Sequence, residues 1–279
     1  MQDSQDGSCK ILRNLVNLVQ LMTLLLILSL LFAQSPAPTT SVDEKSQQII
    51  DRAIETLGGQ KYLGVQTVIG KGFYTSFKDG ISQLPARFLD YIEYPDRERT
   101  EFSGGGIKTI QTNTGDSGWM FDGAVKKISD QTPKQVEDFK QGIRTSLEYL
   151  LKGYWKKDGG KITYVGRREA GVGKRNETIR LVFPDDWWIE YEFGARDGLP
   201  AKIIYKRERK DMDSGDVVWM TEEDQLFKFI TVDGVTAPWV IDHFVNNKQT
   251  SRINYESVQY NQKFADNLFA KPADIKSIK

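Results

Sequence analysis

His243 is the only histidine in the chain. A single imidazole is a thin basis for a histidine metal site or a nucleophile relay. It alternates with Trp239, Ile241 and Val245 on one strand face, so a hydrogen-bonded core or rim histidine is expected. Glu190 and Glu192 also share a strand face and could form the carboxylate pair of glycoside chemistry. A solvated face is the plainer expectation, and a hydrolytic role would require one of them to turn inward beside a cleft. Asp211-Met212-Asp213-Ser214-Gly215-Asp216, with Glu222 downstream, partly echoes a calcium loop. Its glycine falls one place early and its flanks read as strands, so it reads as a polar hairpin turn. Gly104-Gly105-Gly106 lacks the Lys-Ser/Thr of a phosphate loop and reads as a turn. Asn176-Glu177-Thr178 is a formal glycosylation sequon, meaningful only in a eukaryotic source. Arg207-Glu208-Arg209-Lys210-Asp211 reads as a solvated hairpin end. No catalytic residue, metal or cofactor is expected from these groups.

What remains is aromatic surface: six Trp, eleven Tyr and fourteen Phe. Read with a period of two, the stretch from Trp187 to Phe193 puts Trp187, Ile189, Tyr191 and Phe193 on one face, and Trp188, Glu190 and Glu192 on the other. Such a stripe either fills a core or lines a cavity for an apolar ligand, and composition alone leaves both open.

The elements that would position the stripe follow from patterning. Ser41 with Glu44 reads as a capping box for a helix carrying Ile50, Ala53, Ile54 and Leu57, stopped at Gly58-Gly59. A second helix starts at Thr132-Pro133 with Gln135 in the reciprocal capping position. It carries Val136, Phe139, Ile143, Leu147, Leu150 and Leu151, and is expected to run to Lys152 before Gly153. Both helices have one apolar face and must lie against something. Twelve short strands are expected: 65–78, 88–94, 108–113, 118–121, 161–167, 178–183, 187–193, 201–208, 217–220, 226–232, 236–245 and 251–259. Turn signals such as Asp79-Gly80, Asp122-Gly123, Asp197-Gly198 and Asp233-Gly234 separate them. Strands at this spacing without intervening helices mean an antiparallel meander. A sheet this large must curl and cover its concave face, with the helices as plugs.

Lys+Arg and Asp+Glu are equal at 38 each, so no net field favours nucleic acid or an acidic membrane surface. Lys10 and Arg13 precede an apolar run from Leu15 to Ala33, followed by a polar, proline-bearing stretch. That is the layout of a secretory signal, with cleavage after Ala33, or of a retained membrane anchor over 15–33. Either way the remainder is expected to be exported. Residues 34–42 read as a linker and 43–279 as one domain. Cys9, the only cysteine, precedes the apolar run, so a mature chain would hold no disulfide and no thiolate site.

The order of several motifs resembles a known family. A helix ending in Leu57-Gly58-Gly59 leads into a strand. Then come Ile92-Glu93-Tyr94-Pro95-Asp96-Arg97, the run from Asn113 to Gly123 with Trp119 inside it, Arg196-Asp197-Gly198-Leu199-Pro200, and a terminal stretch from Phe264 to Pro272. This is similar to the bacterial periplasmic lipoprotein-carrier (LolA/LolB-like) superfamily, in particular its outer-membrane lipoprotein-sorting relatives, over most of residues 43–272. The resemblance implies an unclosed antiparallel half-barrel of about eleven strands over helices, mainly β, with no enzyme activity and no cofactor. It implies an exported carrier or binder of lipid or lipoprotein acyl chains in the periplasm or cell envelope, working with envelope transport partners. The family's dedicated carrier has an arginine before the proline matched by Pro95; this chain has Tyr94, with Arg97 and Arg99 nearby. On that reading Trp187, Ile189, Tyr191 and Phe193 contribute to the concave apolar face, and Val136, Phe139, Ile143 and Leu147 belong to a lid helix. The competing expectation is an envelope scaffold or assembly module with a filled barrel and no cargo.

Overall fold

The computed structural model describes residues 40–210 and 215–278. The expected signal or anchor, with Cys9 inside its first residues, and most of the calcium-like loop lie outside the described residues. Among the described residues, no helix is long and apolar enough to cross a membrane.

The strands, in chain order, are β1 (Ser41–Val42), β2 (Thr67–Lys78), β3 (Ile81–Ser82), β4 (Ala86–Glu93), β5 (Arg97–Gly104), β6 (Ile107–Thr114), β7 (Ser117–Asp122) and β8 (Lys127–Asp130), followed by β9 (Lys161–Glu169), β10 (Arg175–Val182), β11 (Trp188–Gly194), β12 (Pro200–Lys210), β13 (Val217–Val232), β14 (Val235–Val245) and β15 (Lys248–Tyr260). The helices are α1 (Glu44–Leu57), α2 (Gln60–Leu63), α3 (Pro133–Thr145) and α4 (Leu147–Leu151). One sheet runs in the order β1-β9-β10-β11-β12-β13-β14-β15-β2-β4-β5-β6-β7-β8, with β3 paired to β2. It does not close on itself. Every pairing is antiparallel except β1 with β9. The fold is therefore mainly β, an open, curled, nearly all-antiparallel sheet, as expected.

The strand count of 15 exceeds the expected eleven or twelve. Strands β1, β3, β5 and β8 carry too little apolar alternation to be seen, and 217–220 and 226–232 are one continuous strand, β13. Ser41 and Val42, assigned to a linker and a capping box, pair with Lys161 and Ile162 instead. The cap of α1 is Asp43, whose carboxylate accepts from Ser46 N at 2.8 Å and from Tyr164 N at 2.6 Å. Asp43 thus caps the helix and fastens it to β9 at once. Gly58 ends the helix at φ 122°, where an added Cβ would lie 2.3 Å from Gly234 O. The Thr132–Gln135 capping box is present as expected, with Gln135 N to Thr132 Oγ1 at 3.3 Å and Thr132 N to Gln135 Oε1 at 2.8 Å.

The single helix expected to end at Lys152 is two helices. Ser146 is extended (φ −66°, ψ 151°), ends α3, and caps α4 by accepting from Tyr149 N at 3.1 Å. A serine at that point competes with the helical ladder for the backbone, so the two segments meet at a break.

The main core lies on the concave face. There α1 and α4 (Ile50, Ala53, Leu57, Leu150, Leu151) pack on β9 to β13. A smaller cluster of Ile110, Trp119 and Phe121 sits on the convex face. Trp119 donates to Phe269 O at 3.0 Å, and Arg99 donates to Leu268 O at 2.9 Å, so the C-terminal segment covers this cluster.

Candidate functional site

The aromatic stripe fills the core. Ile189, Tyr191 and Phe193 are 0–1 % exposed among the side chains of α1 and α4. The Tyr191 hydroxyl donates to Arg144 O at 3.2 Å, at the C-terminal end of α3. Trp187 precedes β11, is half-buried, stacks on Phe183 at 5.4 Å and donates to Lys206 O at 2.8 Å. These residues do face the helices, but none of them lines the cavities described below.

The opposite face of β11 is charged and dry. Glu190 and Glu192 are 3 % and 4 % exposed, contrary to the expectation of a solvated face. Arg168 from β9 reaches Glu190 at 2.7 Å and Glu192 at 3.1 Å. Arg180, directly opposite Glu190 on β10, bonds it at 2.5 and 2.9 Å. The two arginines lie across the carboxylates and exclude water, and the acids turn away from the helix-covered face. Asn176, the sequon residue, is 5 % exposed and donates to Glu192 at 2.9 Å, so its amide is engaged.

The residues around His243 also depart from expectation. His243 Nδ1 lies 2.7 Å from Asp224 Oδ1 and Nε2 lies 3.6 Å from Glu222 Oε2. That is the hydrogen-bonded rim histidine anticipated. Arg207, however, is not on a solvated hairpin end: its side chain is 12 % exposed and lies 3.9 Å from the fully buried Glu222. Glu222 is thus an interior strand residue rather than a calcium ligand, and among the described residues no carboxylate, histidine or cysteine group is arranged to hold a metal ion.

The open part of the concave face lies on the other half of the sheet. Strand register sets Val68 and Gly70 of β2 beside Ile92 and Asp90 of β4, and beside Tyr260 and Val258 of β15. Over them runs the joint between α3 and α4. A cavity of about 350 Å³ remains, lined by Val65, Val68, Ile92, Leu147, Ile203, Leu226, Val235, Ile241, Ile253 and Val258, among others. A second chamber of about 320 Å³ adjoins it under α3, lined by Phe139 and Ile143. The chambers share Ile92, Tyr94, Gly142, Ser146 and Glu148. Of the expected lid residues, Leu147 lines the first chamber, Phe139 and Ile143 the second, and Val136 is half-buried one turn earlier on α3.

The polar residues of the walls were not anticipated as a group. Lys152, just past α4, donates to Tyr62 O at 3.3 Å, Leu63 O at 3.0 Å and Val65 O at 2.7 Å, and lies 5.0 Å from the Tyr94 ring centre. Burial pushes its ammonium below the usual lysine range. Burial also raises the Glu148 carboxyl, which accepts from Tyr62 at 3.5 Å. Asp90, 8 % exposed, is raised well above the carboxylate range by burial and by the charge of Glu98. Glu98 is raised by burial too. Burial lifts the Tyr62, Tyr94 and Tyr255 hydroxyls far above their normal range and pushes Tyr260 up to about 12. The enclosure is therefore apolar enough to penalise charge, with carboxyl groups and phenols set into a largely hydrocarbon wall. Tyr94 is part of that wall.

An open antiparallel sheet covered by helices, with an apolar chamber between them, gives this chain a LolA-like fold. A DUF1329 family protein from Desulfovibrio piger is similar with a TM-score of 0.55 and 10% identity, over 80% of this chain and 96% of that one. A LolA superfamily protein from Nitrosomonas europaea is similar with a TM-score of 0.51 and 13% identity, over 81% of this chain and 97% of that one. No family model matches the sequence, and no curated protein matches it either.

Proposed function

We propose that the protein is an exported, non-enzymatic carrier or binder of lipid or lipoprotein acyl chains in the periplasm or cell envelope. The observation that carries this reading is the cavity of about 350 Å³ and its adjoining chamber, walled by aliphatic side chains beneath a lid broken at Ser146. That volume falls within the range of about 300–1,000 Å³ typical of ligand sites. An acyl chain entering it would gain about 0.8 kcal/mol per buried methylene. The binding residues on this reading are those of the chamber wall, Val68, Ile92, Leu147, Leu226 and Val258 foremost. The stripe of Trp187, Ile189, Tyr191 and Phe193 supports the chamber by packing against the helices that roof it. The apolar run 15–33 would direct export, by cleavage or as an anchor.

A scaffold with a filled barrel has one observation in its favour: the half of the concave face under α1 is packed solid, with Ile179, Leu181 and Ile189 at 0 % exposure. One experiment separates the readings. Protein purified from the envelope is extracted for lipid mass spectrometry, then titrated with the neutral fluorophore N-phenylnaphthylamine and challenged with acyl competitors. Co-purified lipid or competitive displacement supports the carrier; neither one leaves the scaffold.

A further inference from the structure

We propose that the head of the ligand is a protonated amine held by Asp90 and Glu98, and that an anionic head is rejected. This rests on the acyl-binding reading above and adds the charge class of the ligand. Asp90 and Glu148 face the first chamber and Glu98 and Glu148 the second. Three of the other charged groups of the walls are engaged elsewhere, and Glu148 accepts from Tyr62 at 3.5 Å. Asp224 is held by His243 at 2.7 Å, Arg97 by Glu93 at 2.8 Å, and Lys152 by three main-chain carbonyls; Asp96 completes the charged groups of the second chamber. Among the described residues no cationic side chain lies within 4.0 Å of Asp90 or Glu98.

Their common partner is the Thr100 hydroxyl, 2.9 Å from Asp90 Oδ1 and 3.0 Å from Glu98 Oε1. Asp90 also accepts from the Tyr91 main-chain N–H, but among side chains one hydroxyl proton serves two carboxyl groups, so the pair is short of a donor. Either one carboxyl keeps its own proton or a donor arrives from the chamber. An ammonium head brings three N–H donors together with the compensating charge. A carboxylate or phosphate head would bring further acceptors and a like charge into a dry wall already penalising charge. Two details extend the acceptor surface. The Tyr260 hydroxyl is buried in the first chamber's wall without a partner. Across the strand from Asp90 stands Gly70, where a Cβ would come within 2.7 Å of the Tyr255 ring. The bare glycine leaves the phenol ring, rather than an aliphatic side chain, next to the carboxyl.

The test compares dodecylammonium with dodecanoate, at equal chain length and at pH 7, as competitors of bound N-phenylnaphthylamine on the exported protein. The amine is expected to displace the probe at concentrations roughly tenfold or more below the acid, the order that one charge-assisted hydrogen bond gives. In Asp90→Asn and in Glu98→Gln, each checked for a native melting transition, that preference should shrink toward parity. Equal displacement by the two heads, or tighter binding of dodecanoate, overturns the inference and leaves the acyl cavity standing. A preference for the amine that both variants retain overturns the assignment to Asp90 and Glu98. If neither competitor displaces the probe, the acyl-binding reading itself fails and takes this one with it.

Discussion

Leu226 is 7 % exposed and sits in the wall of the larger chamber, opposite Ile241 on β14 and two residues along β13 from Asp224, which faces Ile203 on β12. Leu226→Trp should uncouple binding from stability. The indole adds about six heavy atoms and has a void to enter, so it takes the room of about six methylenes of ligand. At about 0.8 kcal/mol each that is about 5 kcal/mol of lost affinity. A chain that slides toward the adjoining chamber recovers part of this, which leaves at least about a hundredfold loss, or about 2.7 kcal/mol. Stability responds with opposing terms. Filling roughly 80 Å³ of void gains up to about 2 kcal/mol at about 24 cal/mol per Å³, while overpacking at the wall costs about 1–3 kcal/mol. The net change should lie within about 1 kcal/mol. Probe displacement and a denaturant melt on the same preparation read the two quantities. A variant that melts as the wild type does and binds acyl chains within about threefold of it would refute the placement of the ligand.

Ser146→Ala removes the side-chain acceptor of Tyr149 N and should cost about 1 kcal/mol in a denaturant melt, the usual loss of a helix cap. Arg168→Met withdraws the guanidinium bridging Glu190 and Glu192; because Arg180 still holds Glu190, a loss of about 2–3 kcal/mol is expected, below the full cost of breaking a buried pair. Asp90→Asn tests the buried acid through pH. The folded pKa of Asp90 is raised, so its contribution to stability is present at low pH and is lost as pH rises through the folded pKa. As pH rises above the ordinary carboxylate range, the wild type should therefore lose more stability than Asp90→Asn does, measured as melting temperature against pH; equal slopes would refute the assignment. Glu177 has the opposite sign. Burial alone would raise it, but hydrogen bonds from Arg167 and Tyr164 hold it below the usual range. Glu177→Gln should cost stability at neutral pH, and the difference from wild type should fade below about pH 4.

Local rules located much of this fold. The Thr132–Gln135 box, the Gly58 stop and the Asp79-Gly80 and Asp233-Gly234 turns rest on backbone requirements within four residues, and each stands where it was expected. What escaped depends on contacts far along the chain. Strand β5 reads Arg-Glu-Arg-Thr-Glu-Phe and shows no apolar alternation. Its inward residues, Glu98 and Thr100, face a polar part of the cavity wall, and Arg99 on the other side is covered by the C-terminal segment. The middle of β13 reads as a break for the same reason, since Glu222 and Asp224 point inward to Arg207 and His243. Glu190 and Glu192 looked solvated because nothing near them in sequence announces Arg168 and Arg180. The candidate site was legible as a class, a concave face under helices, but its position was not. The most aromatic strand makes the firmest core, and the empty space lies beside strands whose inward residues are smaller or polar.

An open sheet leaves an edge for another chain to pair with, and here β9 offers the longer one. Strand β1 covers only Lys161 and Ile162 of it. Beyond them Tyr164 N is taken by the Asp43 carboxylate. The next residues form a bulge opposite Thr178 and Ile179, with Gly166 at φ 134°, and then run into Arg167 and Arg168, which are held by Glu177, Glu190 and Glu192. A bulge, a strained glycine and two anchored guanidinium groups make a poor template for an incoming strand. On the proposed carrier reading, a protein that admits greasy cargo beneath its helices thus also carries a border that resists stacking into fibres.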